Sequence, residues 1–352
     1  MFSTNLIIGE NLMADTKILV FGDLHLKKRI NKNFNVENDT INEFRKVIYE
    51  YKGKVENIIL CGDTFDPVVP DIMDEYQQII EDTGFKVHAI TGQHDRTEFS
   101  WFDVHGIYAE DINEKVVEIE GFKFYGLQYR SQYLIRQALE NVPEEADFLI
   151  LHQAVNSLAP PHAGDLDEHW LPKNLKGVLV GDLHYAEDFD IPGDGKGHYT
   201  GTLVPLRKNE VGNPHGYLTI DSDGKVEKVY TKPERKFYVF KVESESEMDA
   251  LDGLAHNPNF PSFIYLDYNP ELPGIYDKMK QLKQQGSIIN AKPLSNYIDI
   301  DGEEEIEFRP SDSIKEVITQ EARMEESGIL MERLSESPTK GTIETFRNEI
   351  LT

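Results

Sequence analysis

Five short apolar runs in the first half of the chain each end at an acid or a histidine, and this recurrence most constrains the fold. Ile18-Leu19-Val20-Phe21 runs into Gly22-Asp23, and Ile58-Ile59-Leu60-Cys61 into Gly62-Asp63. Lys86–Ile90 leads through Thr91-Gly92 to Gln93-His94-Asp95. Phe148-Leu149-Ile150-Leu151 stops at His152, and Val178-Leu179-Val180 at Gly181-Asp182. Continuous apolar runs of this length read as strands buried on both faces. Helical patterns at Ile41–Tyr51, Asp71–Asp82 and Gln132–Asn141 lie between them, so the chain reads as a layered α/β protein. Two hairpins are predicted, Val116–Tyr125 turning at Glu120-Gly121 and Tyr217–Val229 turning at Ser222-Asp223-Gly224.

Four segments follow from this pattern. Residues 1–16 read as an N-terminal extension, with Met13 as an alternative start, and residues 17–232 as the main α/β domain. After Lys232-Pro233-Glu234, residues 235–309 read as a small α+β domain. Its strands are Phe237–Val242, Ser262–Tyr268 and Ser287–Ala291, with helices at Glu245–Ala255 and Ile275–Gln285 and a hairpin of Tyr297–Ile300 with Glu305–Phe308. Residues 310–352 read as a helical tail, in which Ser313 to Glu316 makes a capping-box pattern and Ile343, Phe346 and Ile350 share one face.

Composition narrows the setting. The chain has 352 residues, and its single cysteine, Cys61, allows neither an intrachain disulfide nor a thiolate cluster. No apolar run approaches the roughly 18 residues that a membrane span needs, and Met1–Ala14 lacks the basic and apolar segments of a signal peptide. The expected location is a reducing cytoplasm. With 63 acidic against 36 basic residues, a net charge of −27 argues against a broad basic face wrapping nucleic acid. Bound cations or a basic partner would have to supply positive charge locally. Lys27-Lys28-Arg29 is a basic island in this acidic chain, open to contact with a phosphate backbone or to plain solvation.

In open α/β sheets ligands bind beyond the carboxyl ends of the strands, where Asp23, His25, Asp63, Gln93, His94, Asp95, His152, Asp182 and His184 all fall. Alternate residues of an extended segment point the same way, so Asp23-Leu24-His25 and Asp182-Leu183-His184 can each aim two ligands at one point. Carboxylates with imidazoles suit manganese, iron, zinc or magnesium, and about seven ligands fit two ions sharing a carboxylate better than one. Each piece alone is weak, since Asp-x-His is usually a surface loop and Gly-Asp after a strand is usually a turn. Their common order and placement carry the reading.

That order resembles the calcineurin-like metallophosphoesterases: Asp-x-His, Gly-Asp, Gly-Asn-His-Asp, His, then Gly-His-x-His. Within them the chain is similar to the SbcD-type nuclease subunits of cells and large tailed phages. The softer marks are Gly22-Asp23-Leu24-His25-Leu26, Gly62-Asp63-Thr64-Phe65-Asp66, and Tyr199-Thr200-Gly201-Thr202 followed by His215-Gly216-Tyr217. The resemblance implies a metallophosphoesterase β-sandwich flanked by helices, with a capping domain and a helical tail. It implies that Asp23, His25 and His184 hold one metal, that Asp63 bridges two, and that Gln93, His152 and Asp182 face the second. His94 would act as general acid, oriented by Asp95. The metals would be manganese, with magnesium as the alternative. The activity would be exonuclease or endonuclease cleavage of DNA in a homodimer, with a coiled-coil ATPase of the SbcC type bound through the tail, in end processing and recombination. Two ions about 3.5–4 Å apart clamp the attacking and leaving oxygens of an in-line displacement. Gln93 and Asp182 depart from the family's asparagine and histidine. The alternatives are a phosphoesterase of small substrates, or a scaffold subunit weakened at the second metal.

Overall fold

The computed structural model describes residues 15–26, 39–66, 70–95, 109–160, 163–254 and 261–294. Lys27, Lys28 and Arg29, the first fourteen residues, the hairpin expected between Tyr297 and Phe308, and the tail from Pro310 lie outside them.

Two six-stranded sheets form the main body. The first contains β1 (Thr16–Phe21), β2 (Asn57–Cys61), β3 (Lys86–Ile90), β4 (Glu110–Asp111), β11 (Gly216–Asp221) and β12 (Val226–Tyr230), ordered β12-β11-β1-β2-β3-β4. The second contains β5 (Val116–Ile119), β6 (Phe122–Leu127), β7 (Phe148–His152), β8 (Gly177–Gly181), β9 (Asp188–Asp190) and β10 (Lys196–Tyr199), ordered β5-β6-β7-β8-β10-β9. The central strands of each are parallel; β11 and β12 add antiparallel to one side of the first sheet, whose other edge, β4, is parallel, and antiparallel β5 and β9 close the second.

Alternation along the strands builds the layers. Ile18 and Val20 of β1 and Ile59 and Cys61 of β2 point between the sheets, where they meet Phe124, Phe148, Ile150 and Leu179. Leu19, Phe21, Ile58 and Leu60 face the other way, onto α1 (Asp39–Tyr51) and α2 (Pro70–Thr83). On the second sheet Leu149, Leu151, Val178 and Val180 face α3 (Gln132–Leu139) through Ile135, Ala138 and Leu139. Burial on both faces explains why these strands read as unbroken apolar runs. In α1 the buried Ile41, Phe44, Ile48 and Tyr51 recur every three or four residues, the spacing of a single helical face. The expected turn at Glu120-Gly121 joins β5 to β6 with φ of 52° and 83°, the two left-handed residues that suit the twist of a tight hairpin.

A separate three-stranded parallel sheet follows, ordered β13 (Phe237–Val242), β14 (Phe263–Tyr268), β15 (Ile288–Pro293). The helices α4 (Glu245–Asp249) and α5 (Ile275–Gln284) connect its strands, and Val242, Leu251, Ile264, Leu266, Ile275 and Leu282 form its core. The helix expected over Glu245–Ala255 is shorter: after Asp249 the chain tightens into a 3₁₀ turn, Ala250–Gly253. β4, β9 and β10 were not anticipated. β10 reads Lys-Gly-His-Tyr, with no apolar run, because Gly197 leaves room for the Phe189 ring, which a Cβ there would overlap.

Candidate metal centre

All five main-body runs deliver their terminal acids and histidines to the carboxyl edge of the sheets. The loop after β1 is tied to the loop after β2 by backbone bonds from Asp23 N to Gly62 O (3.1 Å), His25 N to Asp63 O (2.9 Å) and Leu26 N to Thr64 O (2.8 Å). Asp23, His25, Asp63 and Asp182 have φ of 51°, 43°, 50° and 97°, a region that non-glycine residues rarely occupy. Asp23 and His25 therefore converge through left-handed backbone, not through the strand alternation expected from sequence. Strain concentrated on candidate ligands, at about 1–3 kcal/mol per residue, marks a functional site held by its surroundings.

The side chains meet closely. His25 Nε2 lies 3.1 Å from His184 Nε2, 3.6 Å from Asp63 Oδ2 and 4.0 Å from Asp23 Oδ1. His184 Nε2 lies 3.8 Å from Asp23 Oδ1, and His152 Nε2 lies 3.4 Å from Asp63 Oδ2. Asp23–His25–His184 and Asp23–Asp63–His152 each gather one ligand atom per residue within 4.8 Å. Gln93 Nε2 donates to Asp182 Oδ1 at 2.8 Å, and the Asp182 N–H donates to both oxygens of Asp23 at 3.0 Å. Gln93 thus folds back on Asp182, which accommodates its extra length.

The residues fit divalent cations. His152 Nδ1 sits 2.7 Å from the Cys61 carbonyl, which can only accept, so Nδ1 carries a proton, and Nε2 faces Asp63 with a lone pair wherever a cation takes the place of a second ring proton. Two acceptors facing each other in a buried site need a cation or a proton between them. Asp63 Oδ2, His152 Nε2 and Gln93 Oε1 are buried without a hydrogen-bond partner. Metal-bound histidines typically donate their other ring N–H to a carbonyl or carboxylate, as His152 and His184 do here.

Ionisation reflects the crowding. Burial pushes Asp23 up to about 7, against the lowering by His152 and His184. Asp63 is held below the usual carboxylate range: burial raises it, but His152, His25 and His94 more than offset this. Burial also lifts Asp95 to about 7, with Asp63 adding to the rise. A bound dication would favour the ionised carboxylates.

His94 stands beside the ligands. Its backbone N–H donates to Asp63 Oδ1 at 2.9 Å, and its ring centroid is 4.9 Å from that of His25. Asp95 does its positioning through the loop: its oxygens accept from Phe65 N at 2.9 Å and Gly92 N at 3.0 Å. The carboxylate next to the His94 ring is that of Asp66, with Oδ1 3.4 Å from Nδ1 and Oδ2 3.6 Å from His25 Nδ1. The sequence reading gave that orienting place to Asp95. Glu210 was also missed. It is 5% exposed, and its Oε1 accepts from His184 Nδ1 at 2.7 Å. Asp66 stood within a quoted motif, whereas nothing in the local sequence marks Glu210.

Glycines make this packing possible. Gly62 has φ 91°, and a Cβ there would overlap the His152 ring; one at Gly92 would overlap the Asp63 carboxylate and crowd its backbone. Gly92→Ala is expected to displace Asp63, lowering the melting temperature by the equivalent of about 1–3 kcal/mol and abolishing tight metal binding. Thermal melts with and without Mn²⁺ check this: the metal-induced rise seen in wild type should vanish in the variant.

Residues 16–155 match the family model described as the calcineurin-like phosphoesterase superfamily domain, so this part of the chain is similar to that domain. The match spans Asp23 to His152 and ends before Asp182, His184 and Glu210. No curated protein matches the chain. Among the described residues no helix is long and apolar enough to cross a membrane.

Proposed function

We propose that the chain is a two-metal phosphodiesterase that cleaves DNA, the nuclease subunit of an SbcC–SbcD-type end-processing and recombination complex. The observation that carries the phosphoesterase part is the convergence of Asp23, His25, Asp63, His152 and His184 around buried, unpartnered ligand atoms. When bound, two divalent ions, manganese foremost, would supply charge for in-line displacement at phosphorus. Asp23, His25 and His184 would hold one, Gln93, His152 and Asp182 the other, and Asp63 would bridge. His94 would give a proton to the leaving oxygen.

The DNA assignment rests on the resemblance, and its softer marks have a physical counterpart. Thr202 and His215, from the Tyr-Thr-Gly-Thr and His-Gly-Tyr segments, hydrogen-bond each other at 2.8 Å. The Thr202 backbone N–H donates to the His184 carbonyl at 3.3 Å. These marks therefore pack behind His184, which this reading makes a metal ligand. The reading also includes a homodimer and an ATPase partner held by residues 310–352.

Digestion of end-labelled duplex DNA with Mn²⁺, with and without the ATPase subunit, tests the proposal. Metal-dependent cleavage is expected, and faster turnover of p-nitrophenyl phosphate than of DNA would favour a small-substrate enzyme. A chain ending at Pro310 is expected to keep metal binding and lose co-purification with the ATPase; retained co-purification would refute the tail's role.

A further inference from the structure

The 3₁₀ turn Lys208–Glu210 touches two parts of the molecule at once. Glu210 points inward, where Oε1 holds His184 Nδ1 at 2.7 Å. Its Oε2 accepts from Leu206 N at 2.7 Å and Arg207 N at 3.1 Å, so the carboxylate cannot swing without opening its own turn. The Glu210 carbonyl accepts from His215 Nε2 at 3.1 Å. Two residues earlier, Lys208 points outward and pairs through Nζ with Asp267 Oδ2 on β14 of the small sheet. Tyr265, on the same strand, is close enough to Glu210 that burial, with the Glu210 charge adding to it, pushes its phenol up to about 12. A second tie joins the small sheet to the main body: Arg235 pairs with Asp39 of α1 and donates to the Pro261 carbonyl just before β14.

We propose that this turn couples the seating of the capping domain to the first metal site, with Glu210 as the positioning residue for His184 and the Lys208–Asp267 pair as the link to the cap. The inference rests on the metal-centre reading above. With the cap seated, Lys208 is held, the turn is closed, and Glu210 fixes both the tautomer and the direction of His184. When the cap shifts, the Lys208 end of the turn is released, and His184 loses part of its orientation. A partner or substrate that moves the cap would thereby adjust metal affinity without touching a ligand.

The test uses the full chain and Mn²⁺ titrated by calorimetry, with Co²⁺ absorption as a second readout of coordination. Glu210→Ala is expected to weaken Mn²⁺ binding by about 10- to 100-fold, the usual effect of losing such a partner, and to change the Co²⁺ visible bands. Glu210→Gln keeps an acceptor for His184 Nδ1 and should recover most of the affinity. Lys208→Asp and Asp267→Lys should each weaken binding by up to about fivefold, the scale of one partly exposed ion pair. The double exchange, Lys208→Asp with Asp267→Lys, should restore it. Mn²⁺ affinity indifferent to the 208 and 267 variants would overturn the coupling alone. So would equal losses in the single and double exchanges. A wild-type chain that binds no Mn²⁺ would overturn the metal reading and the coupling with it.

Discussion

His94→Ala is expected to bind two Mn²⁺ ions as wild type does and to cleave about a hundredfold to ten-thousandfold more slowly, the range for loss of general acid–base help. The expectation follows from geometry. The backbone N–H of His94, which the substitution keeps, is what holds Asp63 Oδ1, while the ring lies toward His25 and Asp66. Calorimetric metal titration beside a nuclease assay separates the two effects. Unchanged cleavage, or loss of both ions, would remove His94 from the role.

Asp66 is expected to set the pH at which that role is available. Its hydrogen bond raises the His94 pKa above the ordinary histidine value; burial opposes the rise, and the charge of Asp63 adds to it. A group that must be protonated to act loses activity as pH climbs through its pKa, so a raised pKa moves the alkaline limb upward. Asp66→Asn removes the negative partner and is expected to bring that limb to lower pH. Because Asp66 also lies 3.6 Å from His25 Nδ1, the pH–rate profiles are compared at saturating Mn²⁺, with binding of the ions checked by calorimetry in both proteins. An alkaline limb that does not move would mean that another group sets it.

What could be read from the sequence was whatever repeats locally. Strands buried on both faces are apolar along most of their length, so β1, β2, β3, β7 and β8 stood out as runs, and their ends located Asp23, Asp63, Gln93, His152 and Asp182. β10 was invisible because its place in the sheet depends on Gly197 making room for Phe189, a contact between elements. Asp23 and His25 were rightly grouped for a wrong reason, since their shared direction comes from positive φ held by the neighbouring Gly62-Asp63 loop. Glu210 lies 26 residues beyond His184 in a polar turn, and only the packed structure brings the two together. Asp66 went unassigned beside Asp95 for a related reason. Which of two nearby acids meets a histidine ring depends on how two loops pack, and Asp95 is occupied in joining those loops.

The second metal site should respond most to Asp182. With Asp23, Asp63 and Asp182 ionised, three negative charges face two divalent ions, a formal sum of about +1, where a histidine at 182 would leave about +2. Asp182 also organises its neighbours: it accepts from Gln93 Nε2 and leaves Gln93 Oε1 unpartnered, as a ligand must be, while its N–H fixes Asp23. Asp182→Ala removes a ligand and frees Gln93, and is expected to lose most activity and to hold only one Mn²⁺ tightly. Asp182→Asn keeps an oxygen acceptor for Gln93, and an asparagine tolerates the φ of 97°. Because the neutral side chain raises the net positive charge around a water in the site, that water should ionise at lower pH. Asp182→Asn and Asp182→His are therefore both expected to stay active, with pH–rate profiles shifted downward from wild type. The hard carboxylate should also bias wild type toward manganese and magnesium, so both variants should lose Mg²⁺-supported activity more than Mn²⁺-supported activity. A pH–rate series in each metal decides the matter. If Asp182→Ala cleaves as fast as wild type, Asp182 is no ligand, and the second ion must be held by Asp63, His152 and Gln93 without it.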